Sequence, residues 1–247
     1  MLELSSVISA ARGLPAKEQA WWQAAYVGAN DRRPLADSLA RIERQAPKKL
    51  EEIFKLCGHG SDDDVLPWHL ALLARSAGVS RPTVTALPTK PAFVLGSLHV
   101  KGPLQLKAPL VVTGDLTVDG PVVDLTEKWL LLVVGGSLKA HAIASSQDLL
   151  VGGDCTVRDL VWGAEVHCPF VVRGRVKTPL AVWSDRRPHT IGDAGGIGEV
   201  LATPAQEALE RRFDPALLQA GEFKQKALVQ RLVSGKPFGP AAPSKRR

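Results

Sequence analysis

Through the middle of the chain, apolar and polar residues alternate with a period of two, and glycine punctuates the alternation. One phrase recurs five times: Val94-Leu-Gly-Ser-Leu-His-Val100, Val112-Thr-Gly-Asp-Leu-Thr-Val118, Val134-Gly-Gly-Ser-Leu-Lys-Ala140, Val151-Gly-Gly-Asp-Cys-Thr-Val157 and Val172-Arg-Gly-Arg-Val-Lys-Thr178. Aligned on Gly96, Gly114, Gly136, Gly153 and Gly174, the copies step by 18, 22, 17 and 21 residues, a period that suits one coil of a solenoid. Two residues after each glycine stand Leu98, Leu116, Leu138, Cys155 and Val176; two before it stand Val94, Val112, Val134, Val151 and Val172. These columns point inward. Between them, Ser97, Asp115, Ser137, Asp154 and Arg175, then His99, Thr117, Lys139, Thr156 and Lys177, form a wet face, which is the pattern of a strand buried on one side. A single coil cannot bury its apolar side alone, so the coils must stack in parallel, Leu98 over Leu116 over Leu138. The glycine marks a bend between two short strands, where a Cβ would crowd the corner.

The flanks read differently. Residues 1–80 form an α-helical region: Ala16 to Val27 and Leu35 to Leu56 carry apolar residues at three, four and seven-residue steps, with Pro47 interrupting the second run. A third helix is expected from Val65 to Ala77. Residues 81–91, with Pro82, Pro88 and Pro91, make a connection that cannot be helical. The solenoid spans 92–200. Thr203-Pro204 opens a helical segment, and residues 201–236 are expected to cap the open end of the coils, whose unpaired edges would otherwise invite other chains. A basic tail, 237–247, follows. The expected fold is mainly β with helical flanks: a single-stranded parallel β-helix preceded by helices and capped by helices.

Composition narrows the class without naming an activity. The 247 residues are 45% hydrophobic and 23% charged, as in an ordinary folded protein. The net charge of +6 belongs mostly to the end of the chain, since residues 201–247 carry nine basic and four acidic side chains. Nucleic-acid binding is disfavoured, because such proteins gather positive charge with aromatics along the folded surface. Three cysteines, Cys57, Cys155 and Cys168, with one in an inward column, read as reduced thiols of a cytoplasmic protein. The first residues lack a basic leader pattern and no apolar run approaches a membrane span.

Catalytic and metal chemistry find little support. The acidic loop Gly60-Ser-Asp-Asp-Asp64 lacks the alternating ligand order of a calcium loop. Asp115 and Asp154 share an outward column, but Ser97, Ser137 and Arg175 separate and flank them, unlike the converging pair of a glycosidase. Ser145, Ser146, Asp148 and His167 offer a nucleophile and bases, yet no nucleophile-elbow sequence surrounds them. The Gly-rich run Ile191 to Gly198 lacks the strand and helix that would make it a phosphate loop. No cofactor and no metal is expected, and the chain reads as a non-enzyme. Trp129, Trp162 and Trp183 fall near the turns between coils, with His141, His167 and the segment Asp185-Arg-Arg-Pro-His189. Buried, the tryptophans would cover corners of the core; exposed, they would anchor a protein partner. The partner-binding residues chosen on the second reading are Trp162, Trp183, Arg186, Arg187 and His189.

The repeated Gly-Asp-Leu-x-Val phrase, the Leu160-Val-Trp-Gly163 turn, the Asp185 segment and the ending Phe213-Asp-Pro-Ala-Leu-Leu218 through Leu232-Val-Ser-Gly-Lys-Pro-Phe238 together resemble bacterial β-solenoid proteins related to bactofilins, often found at polymorphic-toxin and type VI secretion loci. The resemblance covers residues 92 to 238. Asp185-Arg186 stands where Asp-His is expected, with His189 three residues further on. The resemblance implies a cytoplasmic immunity protein that binds a cognate toxin and occludes it. A bactofilin-like scaffold that polymerises through the coil ends is the alternative, opposed by the helical flanks, and an uncharacterised solenoid enzyme is the third reading.

Overall fold

The computed structural model describes residues 4–25, 35–45, 52, 90–125, 130–164, 170–183, 191–204, 206–220 and 222–239. The expected helix at 65–77, the acidic loop, most of the proline-rich connection and the terminal basic residues lie outside them.

Six courses of strand wind around a three-sided prism. The first holds β1 (Ala92–Val94), β2 (Leu98–Val100) and β3 (Leu104–Gln105), and the second β4 (Leu110–Val112), β5 (Leu116–Val118) and β6 (Pro121–Val123). In the third, β7 (Leu131–Val134) is followed by β8 (Leu138–Ser145), which bends to serve two sides; β9 (Asp148–Val151) and β10 (Cys155–Gly163) repeat that arrangement. β11 (Phe170–Trp183) and β12 (Ile191–Ala202) each run along all three sides. Every pairing in this sheet is parallel. Register follows the repeat: Leu98, Leu116, Leu138, Cys155 and Val176 stack as partners on the second face, and Ala92, Leu110, Leu132, Leu149 and Phe170 on the first. The inward columns merge into one buried core.

The corner glycines allow close stacking. A Cβ on Gly153 would lie 2.9 Å from the backbone carbon of Gly136 and 2.6 Å from Ser137 Oγ. Only hydrogen fits there. Beside this spine the first outward column makes a ladder: Ser97 Oγ accepts from the Asp115 N–H, Asp115 Oδ1 from the Ser137 N–H at 2.7 Å, Ser137 Oγ from the Asp154 N–H, and Asp154 Oδ1 from the Arg175 N–H at 2.9 Å. Side chains that read as merely solvated thus hold each corner to the next.

The third face was hidden in the sequence. Leu104, Val122, Ile143, Val161 and Ala181 stack inward along it, while Val123, Ala144, Trp162 and Val182 stack outward. With both sides apolar, the strands need a second cover. Helices α1 (Leu4–Arg12), α2 (Ala16–Ala25) and α3 (Leu35–Gln45) precede the prism, and α4 (Gln206–Arg212) and α5 (Gln225–Val233) follow it. Pro47, expected to interrupt the helix that includes α3, lies outside the described residues. Between α4 and α5 lie a 3-10 turn, Pro215–Leu217, and an antiparallel hairpin of β13 (Leu218–Gln219) and β14 (Glu222–Phe223).

The C-terminal pieces follow the last strand, and Arg212 of α4 pairs with Glu199 of β12. Leu209, Phe213, Leu217, Phe223, Leu228 and Leu232 pack laterally on the outward column of the third face, because that column would otherwise expose a continuous apolar stripe. Among the described residues no strand pairs with the far side of β12, and Val200 is 51% exposed. On the first face the outward residues Val111, Val133, Leu150 and Val171 are buried too. Arg173 there meets Glu18 of α2 at 3.6 Å, and Arg12 pairs with Glu43 to tie α1 to α3. The N-terminal helical region thus touches the first face.

Candidate partner-binding surface

Two of the five residues chosen as partner anchors are buried. Trp162 is 3% exposed, in the outward column of the third face, with its ring edge-on to Phe223 at 5.2 Å. Trp183 is 2% exposed and turns inward beside Phe170, 5.3 Å between ring centres. Both expectations as exposed anchors are overturned for one reason: these tryptophans sit in strands of the third face, not in turns, and each fills a space that only a large ring closes. Arg186, Arg187 and His189 lie outside the described residues, as do Trp129 and His167.

The serines considered as nucleophiles are also interior. Ser145 Oγ donates to Asp124 Oδ2 at 2.9 Å, the Ser146 N–H donates to Asp124 Oδ1 at 2.9 Å, and Gln147 Oε1 accepts from the Leu130 N–H. Asp124, Ser145, Ser146, Gln147 and Asp148 are all buried. They knit a corner between coils, and a substrate could reach the hydroxyls only by opening it. Cys155, in an inward column, has its thiol pushed up to about 12 by burial and then by Asp154, which makes it inert. Among the described residues no group of three or more His, Cys, Asp or Glu is placed to hold a metal ion.

The surface that remains is the second face. Its outward column runs His99, Thr117, Lys139, Thr156, Lys177, one residue per coil at about 5 Å spacing. His99 is 2.8 Å from Asp119 of the next coil. Arg175 pairs with Asp193, whose carboxyl is held below the usual range by the Gly195 N–H and then by Arg175. Among the described residues Lys101, Lys139 and Lys177 have no ion pair, and all three are exposed.

Along one margin of this face runs a groove of about 470 Å³. Pro121, Ala142, Pro179, Leu232 and Phe238 give it apolar walls, while His141, Arg158, Asp159 and Lys236 bring charge and hydrogen-bonding groups to it. One side is prism and the other is the end of α5 with the turn after it. The register explains why Arg158 and Asp159 are there: between Val157, opposite Ala140, and Leu160, opposite Ala142, β10 carries two residues against the single His141 of β8. Such a bulge redirects side chains. Arg158 and Asp159 then make a two-pronged ion pair, 2.9 and 2.7 Å. The irregular repeat step contains this extra residue, yet only the pairing reveals where it falls.

No protein-family model, curated protein or solved structure matches this chain. Among the described residues no helix is long and apolar enough to cross a membrane.

Proposed function

We propose that the protein is a cytoplasmic binding module that neutralises a cognate bacterial toxin or effector by docking on the second face of its prism and occluding it. One observation supports this reading above others. The chain's own helical segments lie against the first and third faces, and the second stays a broad, regular, polar sheet held rigid by the corner ladder. A rigid backbone loses little freedom when a partner binds, so the ordering cost falls on the exposed side chains alone. The anchors are then Lys139, Lys177 and the groove beside His141, in place of the two buried tryptophans.

A bactofilin-like scaffold is the second reading, favoured by the exposure of β12. Among the described residues β12 pairs on one side only, and Ile191, Ile197 and Val200 leave apolar surface at the end of the core.

Co-expression in bacteria of this chain with effectors encoded beside it separates the two. Rescue of growth together with a stoichiometric complex on size exclusion, lost in Lys139→Glu/Lys177→Glu, is the expected result. Concentration-dependent assemblies without a partner, abolished by Val200→Lys, would overturn it in favour of the scaffold.

A further inference from the structure

Resting on the reading of the second face as a docking surface, we infer that its partner is an extended acidic polypeptide segment that seats apolar side chains in the groove beside His141. The charge arrangement selects the partner. Every carboxylate of this face is already held by its own chain: Asp115 and Asp154 accept backbone N–H groups of the following coils, Asp119 meets His99, Asp159 meets Arg158, and Asp193 meets Arg175. The lysines are not so held. Lys139 and Lys177 each lie two residues before a groove residue of the prism, His141 and Pro179, Lys236 lines the helix side, and none of the three has an ion pair among the described residues. Three of those carboxylates face a His or Arg of their own chain and two are occupied by backbone N–H groups, so the lysines are the charged groups left open, and they attract acidic groups and repel basic ones.

Spacing adds a second constraint. Thr156 separates Lys139 from Lys177 in the column, so their backbones are two strand spacings apart, about 10 Å. A polyproline II segment returns to the same side every three residues, about 9.3 Å. Carboxylates at positions i and i+3 of a segment running along the prism axis therefore fall beside the two lysines, while residues between them face Pro121, Ala142, Pro179 and Phe238. A nucleic-acid strand fits less well. The outward column of this face, His99, Thr117, Lys139, Thr156 and Lys177, carries no Phe, Tyr or Trp for base stacking, and Arg158 in the groove is already paired with Asp159.

The test uses the full chain and fluorescein-labelled twelve-residue peptides with Glu, Gln or Lys at every third position and Leu and Pro between, beside an oligothymidine of equal charge. The Glu peptide is expected to bind at low salt at least tenfold more tightly than the Gln peptide, with no binding of the Lys peptide. Lys139→Glu/Lys177→Glu, both exposed positions, should remove that tenfold preference, and Pro179→Trp should weaken the Glu and Gln peptides alike by filling the groove. Equal binding of Glu and Gln peptides, or a Glu preference unchanged in the double variant, overturns the inference, as does tighter binding of the oligothymidine. A cognate effector that co-elutes equally with wild type and double variant would sink the acidic-segment inference yet leave toxin neutralisation standing. Peptide binding as described, with this chain rescuing growth from none of the neighbouring effectors, would do the reverse.

Discussion

Replacing Trp162 with alanine should cost stability rather than binding. The ring is 3% exposed, clamped between the third face and Phe223, which in turn meets Phe213 at 4.7 Å. A buried tryptophan withdraws roughly 150–250 Å² from water, and at about 25 cal/mol per Å² this is about 4–6 kcal/mol of transfer free energy. Alanine keeps part of that area and the hairpin can settle partly into the space, which brings the expected loss to about 3–5 kcal/mol. The damage should be local, since the cavity opens under the C-terminal helices. Urea unfolding followed by circular dichroism measures the loss. Trypsin cleavage at Lys224, Lys226 and Arg231 reports whether the helices have loosened from the third face. A loss below about 0.5 kcal/mol, the ordinary range for a surface change, together with an unaltered digestion pattern, would refute the packing and return Trp162 to the surface.

Gly153→Ala should destabilise the stack by about 1–3 kcal/mol, because the new methyl meets the Gly136 backbone and no rotamer relieves it; an unchanged denaturation midpoint would contradict the close corner. Cys155, with its thiol pushed up to about 12, should escape iodoacetamide at pH 8 in the native protein, where roughly one thiol in ten thousand is ionised, and react once the chain is unfolded. Mass mapping before and after denaturation checks this, and native labelling would refute it. Asp214 is held below its ordinary value by the Ala216 N–H and then by Arg231 of α5. A depressed carboxyl pKa stabilises the native state above the ordinary value, and the contribution fades as pH falls through the folded pKa. The thermal midpoint should therefore drop on acidification below about pH 4, and less steeply in Asp214→Asn; parallel curves for the two proteins would refute the link.

What was legible in the sequence were the features that repeat under one constraint. Leu98, Leu116, Leu138, Cys155 and Val176 share a column because each is inside, and the corner glycines recur because nothing larger fits between courses. The third face escaped because its strands are apolar on both sides. Val161-Trp162 and Val182-Trp183 show no alternation, so they look like turns ornamented with aromatics. For the same reason the sequence did not reveal that the apolar residues of the C-terminal helices answer the outward column of Val123, Ala144, Trp162 and Val182. Serine and aspartate in the corner column looked simply wet, since a side chain that accepts a backbone N–H from the next coil has the same composition as one that accepts from water. The groove was hidden because its parts, His141, Arg158, Pro179 and Phe238, come from four separate stretches and meet only through a bulge.

The lateral helices also set the size of the molecule. An open solenoid can gain or lose a course with little penalty, because each new course meets its neighbour as the previous one did. Here an inserted course would add another apolar outward side chain to the third face, and the segment from Gln206 to Phe238 has a fixed reach. A lengthened prism would leave that side chain bare, and a shortened one would leave Leu209 or Leu232 without a seat. The C-terminal helices act as a ruler: duplication of a coil, the easiest change for a repeat gene to make, is checked by a segment that does not repeat.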